Sequence, residues 1–484
     1  MTFRLLSASY MEKPIQLAHE WGPSNYVTLL VGRNGTGKSR FLSAVCNAFN
    51  AMDFRLQTSA LSSVPRRHDK QIELTFGLDE RIVRLRSHKR QLETDEAMWI
   101  EHIRPQRVIA TTITPFDKFP IGRSNTRPDD TKMHRYKYLG SKNRLGQASG
   151  SGRLSRTVEA LMLTSEKSDA RQQQLRHVFE FLGYAPTITV QYSLRITREA
   201  IDATVGAWQS GSHEHLRREL LRIDTPFRYR FQASETESWE MFAVAEAIAA
   251  LADHGTKKNI VNFELSFESG EFQAGSLDLY VHVQTLRRFG LATLRSLRLD
   301  RQSDGASVEL RDASSGEQSV VLTLLGIASE IESDSRVIID EPEISLHPEW
   351  QERFLPLMLK TFENYSGCHF LLATHSPQIL ASMQALARGT IVLMDSGEST
   401  SAVGQSKKSA DYQLATAFQS PGFGNEYLAR IGLNALALIN KRHLDSDELR
   451  AAVLTLRRAR PKLSESDPVA MLADVVFAAE EFRQ

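Results

Sequence analysis

Gly32-Arg33-Asn34-Gly35-Thr36-Gly37-Lys38-Ser39 sets three glycines, a lysine and a hydroxyl at the spacing G-x-x-x-x-G-K-S. Glycines at these positions let backbone N–H groups turn inward around an anion, and the helix that follows points its positive end at the same place. Lys38 is spaced to meet the outer phosphates of a nucleoside triphosphate, and the Ser39 hydroxyl to ligate Mg²⁺. Far downstream, Val337-Ile338-Ile339-Asp340-Glu341-Pro342-Glu343 ends an apolar run in carboxylates. Asp340 would hold the magnesium, directly or through water, and Glu341 would orient and deprotonate an attacking water. Thr374-His375-Ser376 closes another apolar run, where an imidazole can contact a terminal phosphate and report its presence. Ser314-Ser315-Gly316-Glu317-Gln318 reads as a helix start, with Ser315 as N-cap and Gln318 completing a capping box.

These groups act together only if a sheet carries them along one edge, and the sequence supplies the strands. Val27 to Val31 is apolar and runs straight into the glycine loop, while Lys38 to Asn50 spaces Phe41, Leu42, Val45 and Phe49 as a helix does. Val337-Ile338-Ile339 is apolar on both faces, as a central parallel strand is. His369 to Ala373 and Thr390 to Met394 read as further strands, as do Phe3 to Ser9 and Val108 to Thr112. Gln71 to Phe76 and Arg81 to Leu85 read as a hairpin. The fold class is α/β. Residues 1–121 carry the first part of a head with its phosphate loop, 122–156 a basic flexible loop, and 157–305 a mainly helical insertion. The second part of the head occupies 306–395, and 396–484 hold a polar loop and a helical C-terminal region. There Leu428, Ile431, Ala435, Leu438 and Ile439 fall on one helical face.

At 484 residues, 41% of them hydrophobic, the chain has material for two or three cored domains. A net charge of +1 gives no global attraction to nucleic acid or membrane, so such affinity needs a local patch. Cys46 and Cys368 lie far apart, neither in a cluster with zinc spacing, and both read as reduced core thiols. The N-terminus lacks a secretion pattern. Apolar runs such as Val320 to Ala328 fall short of the ~20 residues of a membrane span. A soluble, cytoplasmic protein is expected.

Taken in this order, the motifs resemble those of ABC-class ATPases of the SMC, RecF and OLD-like group, whose P-loop head is a mixed sheet flanked by helices. Transporter ATPases place the Ser-Ser-Gly-Glu-Gln element much closer to the phosphate loop, whereas here 275 positions (314 minus 39) separate Ser39 from Ser314. The resemblance implies ATP and Mg²⁺ as cofactors. It implies that Ser315, Gly316 and Gln318 form a signature whose helix end meets the γ-phosphate held by a second chain. With one loop and one signature per chain, two chains must then meet head to tail. Catalytic roles fall to Glu341, His375 and Lys38, and metal binding to Ser39 and Asp340. Ser345-Leu346-His347-Pro348 takes the place of the D-loop, which bridges subunits. Glu317 departs from the transporter signature, where a second glycine is usual, and His347 from the transporter D-loop aspartate. No glutamine follows Thr112 to assist magnesium, which leaves Thr114 or Asp117 as stand-ins. Slow turnover or a long-lived ATP state is expected.

A narrower likeness lies in Val108-Ile109-Ala110-Thr111-Thr112-Ile113-Thr114-Pro115-Phe116-Asp117-Lys118-Phe119-Pro120 and Tyr136-Lys137-Tyr138-Leu139-Gly140. These strings resemble the PtuA-like ATPase subunit of Septu and retron-linked antiphage systems. That likeness implies a homodimer or higher homo-oligomer paired with a separate HNH-type nuclease. Asp395 and Glu398 alone do not make the convergent carboxylates of a Toprim metal site, so nuclease activity is expected from the partner. Arg123, Arg127, Lys132, Arg135, Lys137, Lys142, Arg144 and Arg153, with Tyr136 and Tyr138 interleaved, suit phosphate contact and base stacking. The same composition suits a solvated loop or a protein-docking surface. Arg457, Arg458, Arg460 and Lys462 read as a solvated helix end. The expected role is an antiphage ATPase that senses invasion and regulates a nuclease. Its alternatives are a DNA-repair ATPase of the RecF/SMC type and an ATP-bound scaffold with little turnover.

Overall fold

A computed structural model of the chain describes residues 3–55, 71–78, 81–88, 91–94, 105–114, 116–121, 135–142, 152–163, 169–223, 238–254, 259–385, 388–402, 409–443 and 445–481. It divides into two compact units, one made of 1–148 with 330–484 and the other of 149–329.

The first unit is built on a seven-stranded sheet. Its order is β17 (Ser399–Ser401), β16 (Gly389–Leu393), β3 (Tyr26–Val31), β15 (His369–Thr374), β14 (Arg336–Asp340), β7 (Val108–Thr112) and β8 (Tyr136–Tyr138). All pairs are parallel except β16 with β17. Strands β3, β15, β14 and β7 are buried along their whole length, which is why their sequences are apolar without alternation. The short β17 lies within the stretch after Asp395 that the sequence suggested was only a polar loop. An antiparallel sheet runs β2 (Lys13–Gln16), β1 (Phe3–Tyr10), β4 (Ile72–Leu78), β5 (Arg81–His88) and β6 (Gln91–Thr94). Helix Lys38–Arg55 packs into one core with both sheets: its Phe41, Leu42, Val45 and Phe49 cluster with Leu5, Leu74 and Phe76 and with Ala110, Ile338 and Leu371. Helices Glu426–Asn440, Asp447–Ala459 and Pro468–Glu481 share a second core, in which Leu428, Ala435 and Ile439 are buried as their spacing predicts.

The second unit is a five-stranded antiparallel sheet with helices. Its order is β11 (Phe272–Ala274), β10 (Ile260–Ser266), β9 (Tyr184–Leu194), β12 (Ala292–Arg301) and β13 (Ser307–Glu309). Burial alternates along β9, so Ile188, Val190 and Tyr192 face a core while Thr187, Thr189 and Gln191 face out. Helix Ser315–Glu330 begins in this unit. Among the described residues no helix is long and apolar enough to cross a membrane.

The starting ends of the parallel strands are held by two buried guanidiniums that donate to backbone carbonyls. Arg336, fully buried, donates to the carbonyls of Ser335 (2.8 Å), Gly367 (2.9 Å) and Phe3, and its guanidinium lies over the Phe3 ring. Arg4 donates likewise to the carbonyls of Cys368, Gly22 and Ser24. Burial pushes Arg336 down to about 9 and Arg4 to about 10, so both stay charged at neutral pH. His369, whose Nε2 is 2.8 Å from the Thr28 hydroxyl, lies in the field of both. Burial first, then Arg4 and Arg336, drive its pKa well below the ordinary value, so the folded ring is neutral.

Two outcomes follow for equilibrium urea unfolding. Arg336→Met orphans three carbonyls and should destabilise the protein by on the order of 3 kcal/mol. His369 takes up a proton more readily when unfolded than when folded. Its contribution is complete above pH 6.5 and falls by up to about 1.4 kcal/mol per pH unit below it. His369→Gln should flatten that acid limb.

Candidate nucleotide site

The predicted phosphate loop, magnesium strand and switch histidine meet at the C-terminal ends of the parallel strands, where open α/β sheets bind ligands. Register explains it: Asp340 stands opposite Thr112 on β7 and Ala373 on β15, while Thr374 stands opposite Val31, the last residue before the loop. Gly32 has φ +148°, and a Cβ there would lie 2.6 Å from an Asp395 oxygen, so only glycine fits. Gly35 and Gly37 also have positive φ; Asn34 and Gly35 form an exposed crest, and Thr36 donates to the Arg33 carbonyl. Helix Lys38–Arg55 opens directly behind them.

Lys38 is buried, and its ammonium donates to the carbonyls of Gly32 (2.8 Å) and Arg33 (3.1 Å), with His375 Nδ1 at 3.3 Å. Burial lowers its pKa, opposed by Glu341, Glu343, Asp340 and Asp395. Ser39 Oγ donates to Asp340 Oδ1 at 3.1 Å. Two oxygens at adjacent corners of an octahedral Mg²⁺ shell lie about 2.9 Å apart, so this pair fits that ion. Burial pushes Asp340 up to about 7; the Ser39 bond opposes this, and Glu341, Glu343 and Asp117 add to it. A buried carboxylate among like charges is chemistry that a divalent cation would satisfy.

Glu341 adopts φ +51°, a strained conformation for a residue with a side chain, and its carboxylate stands 3.8 Å from His375 Nε2. The His375 backbone N–H donates to Glu343. Burial and then Lys38 push the imidazole down to about 4, so it is neutral at physiological pH. The Gln351 amide links two loops: it donates to the Leu346 carbonyl (2.9 Å) and accepts from the Ser376 hydroxyl (2.6 Å). Ser345, in the same loop as Leu346, has φ +70°.

In the second unit, helix Ser315–Glu330 starts one residue earlier in its capping than the sequence suggested. The Ser314 hydroxyl, not that of Ser315, caps it by accepting from the Glu317 N–H at 3.2 Å. Gln318 turns back to the carbonyls of Arg311 (3.0 Å) and Ala313 (2.8 Å). Gly316 is buried and Ser315 exposed.

Asp117, one of the two residues expected as a magnesium stand-in, is engaged by protein donors. Its carboxylate accepts from the Phe119 N–H, the Tyr138 hydroxyl (2.6 Å) and the Lys142 ammonium (2.6 Å), and it holds the loop after β7 in place. The Thr114 hydroxyl accepts from the Phe116 N–H. Of the basic segment, Arg123, Arg127, Lys132 and Arg144 lie outside the described residues, while Lys142 is bound to Asp117. Arg457 pairs with Glu480 and Arg460 with Asp474, as a solvated helix end does. Three contributors had no role at this site in the motif reading, although Glu343 closes one of its strings. Asp395 accepts from the Arg33 N–H (3.1 Å) and Nε (3.3 Å), Glu343 anchors His375, and Gln351 joins the two loops. Asp395 is the one that strand pairing could have located, since Leu393 on β16 stands opposite Val31.

Comparison with known proteins agrees with the motif reading. Residues 162–381, under half the chain, match a family model described as an AAA domain, putative AbiEii toxin, Type IV TA system. That span holds Ser314–Gln318, Asp340, Glu341 and His375 but not the phosphate loop. The Retron Ec83 probable ATPase of Escherichia coli is 30% identical over 87 residues, and the match spans 16% of this chain and 16% of that protein. The SMC head domain from Thermotoga maritima (13% identity, TM-score 0.31) is matched over 83% of this chain and 98% of that one. The recombination mediator RecF is matched over the same shares at 11% identity and TM-score 0.31. Structural similarity at that level carries no functional weight. The sequence matches, together with the geometry above, bear out the resemblance to a P-loop ATPase linked to retrons.

Lys38→Ala should lower MgATP affinity by two orders of magnitude or more, because it removes the buried cation of the cradle. Asp395→Ala breaks a pair in which Arg33 is 65% exposed and should change affinity by less than about fivefold. Titration calorimetry reads both.

Proposed function

We propose that this chain is an ATP-binding and hydrolysing ABC-class ATPase that closes into a two-fold dimer on MgATP. The carrying observation is the convergence of Lys38, Ser39, Asp340, Glu341 and His375 at one sheet end, within hydrogen-bonding or near-contact distances. Gly32 to Ser39 cradle the phosphates, and Lys38 gives up its loop carbonyls for the β- and γ-phosphates. Mg²⁺, when bound to Ser39 and Asp340, neutralises charge on the phosphates. Glu341 orients and deprotonates the attacking water, and the neutral His375 ring reaches the γ-phosphate. Ser315, Gly316 and Gln318 close on the nucleotide of the second chain, since each chain has one phosphate loop and one such segment.

The dimer acts as sensor and regulator of a separate nuclease subunit, HNH-type by resemblance, in antiphage defence. Similarity to the Retron Ec83 probable ATPase supports this role. Turnover is slow, because Asp117 is committed to Lys142 and Tyr138 rather than to the metal. The same observation favours a second reading, in which ATP is held with little hydrolysis and the dimer displays a partner.

Glu341→Gln distinguishes the two. Loss of a general base should cut turnover by about a hundredfold or more and trap a MgATP dimer in analytical ultracentrifugation. Wild type and variant turning over equally slowly would favour the scaffold. DNA-stimulated turnover with no co-purifying nuclease would favour a repair ATPase.

A further inference from the structure

Ser314 and Glu317 stand at the spacing of a capping box, S-x-x-E, in which each side chain bonds the other residue's backbone N–H. Only half of that box is made. Ser314 Oγ accepts from the Glu317 N–H, but the Glu317 carboxylate does not return to Ser314. It accepts instead from the hydroxyl of Tyr184, the first residue of β9, at 2.5 Å. The Tyr184 ring is buried, and that burial, with Glu317 beside it, raises the phenol's pKa, so the hydroxyl stays a donor at every physiological pH. The backbone N–H groups of Ser314, Ser315 and Gly316 have no hydrogen-bond partner among the described residues.

A glutamate in the first turn of a helix is ordinarily drawn to those N–H groups and to the positive end of the helix. An incoming phosphate seeks the same donors. A carboxylate folded onto Ser314 would both occupy a donor and repel the anion. We propose that Tyr184 is a positioning residue that draws the Glu317 carboxylate off the start of helix Ser315–Glu330. The N–H groups of Ser314, Ser315 and Gly316 are thereby kept open for the terminal phosphate of a nucleoside triphosphate held by a second copy of this chain. The inference deepens the proposed role of Ser314–Gln318 in dimer closure and rests on it. It gives Glu317 a two-position character, open on Tyr184 or shut on Ser314.

The test uses the full chain. In Tyr184→Phe, hydrogen-exchange mass spectrometry over residues 312–318 should show slower exchange, as the capping box closes on the Ser314 N–H. In the Glu341→Gln background, Tyr184→Phe should weaken MgATP-driven self-association by about tenfold, the scale of one hydrogen bond to a charged group. Nucleotide affinity of the single chain should not change. Once Glu317 is replaced by glycine, Tyr184→Phe should have no further effect on association. Glu317→Gln, which keeps an acceptor for the tyrosine, should stay within about twofold of its parent. Unchanged exchange over 312–318 overturns the proposal. So does an equal loss of association in the Glu317→Gly background, which would make Tyr184 a packing residue only. If Glu341→Gln itself fails to associate with MgATP, dimer closure is wrong, and with it the anion-site role of Tyr184. The exchange result then decides separately whether Tyr184 positions Glu317.

Discussion

The Lys38 ammonium is the contact on which the site depends. It is buried against two carbonyls of its own loop and the ring of His375, in the field of Asp340, Glu341, Glu343 and Asp395. One interior cation faces several carboxylates, and burial first, with Glu341, Glu343 and Asp117 adding to it, pushes Asp340 up to about 7. The loop therefore rests on an internal substitute for its ligand: its carbonyls occupy the lysine, and Ser39 occupies the aspartate. A triphosphate with its metal would replace both arrangements at once.

That chemistry was legible because it is written locally. The glycines, the lysine and the strand-end carboxylates each sit in a short string whose geometry is set by a turn or a strand end. What holds the strings together was not legible. Arg336 reads as a polar residue at the start of an apolar strand, yet it is fully buried and reaches the carbonyl of Phe3, more than three hundred positions away. Asp395 meets Arg33 across a similar separation, whereas Glu343 and Gln351 reach partners 32 and 25 positions away, and no local period announces any of the three.

The helix start shows a subtler gap. Two adjacent serines both fit the N-cap, and the choice between Ser314 and Ser315 depends on where the preceding chain approaches. The capping box was read one residue too late, at Ser315 and Gln318, and the glutamate of the Ser314 spacing answers to a tyrosine from a different strand. Local preference loses there to a tertiary contact, which is where functional or strained positions are expected to collect.

The seven-stranded sheet ends, among the described residues, on β17 and β8, each only three residues long. Such stubby borders offer little backbone for a neighbouring copy to zip onto, which guards against runaway fibre growth. On these two edges, any contact with another copy would rest on side chains and loops rather than on backbone pairing.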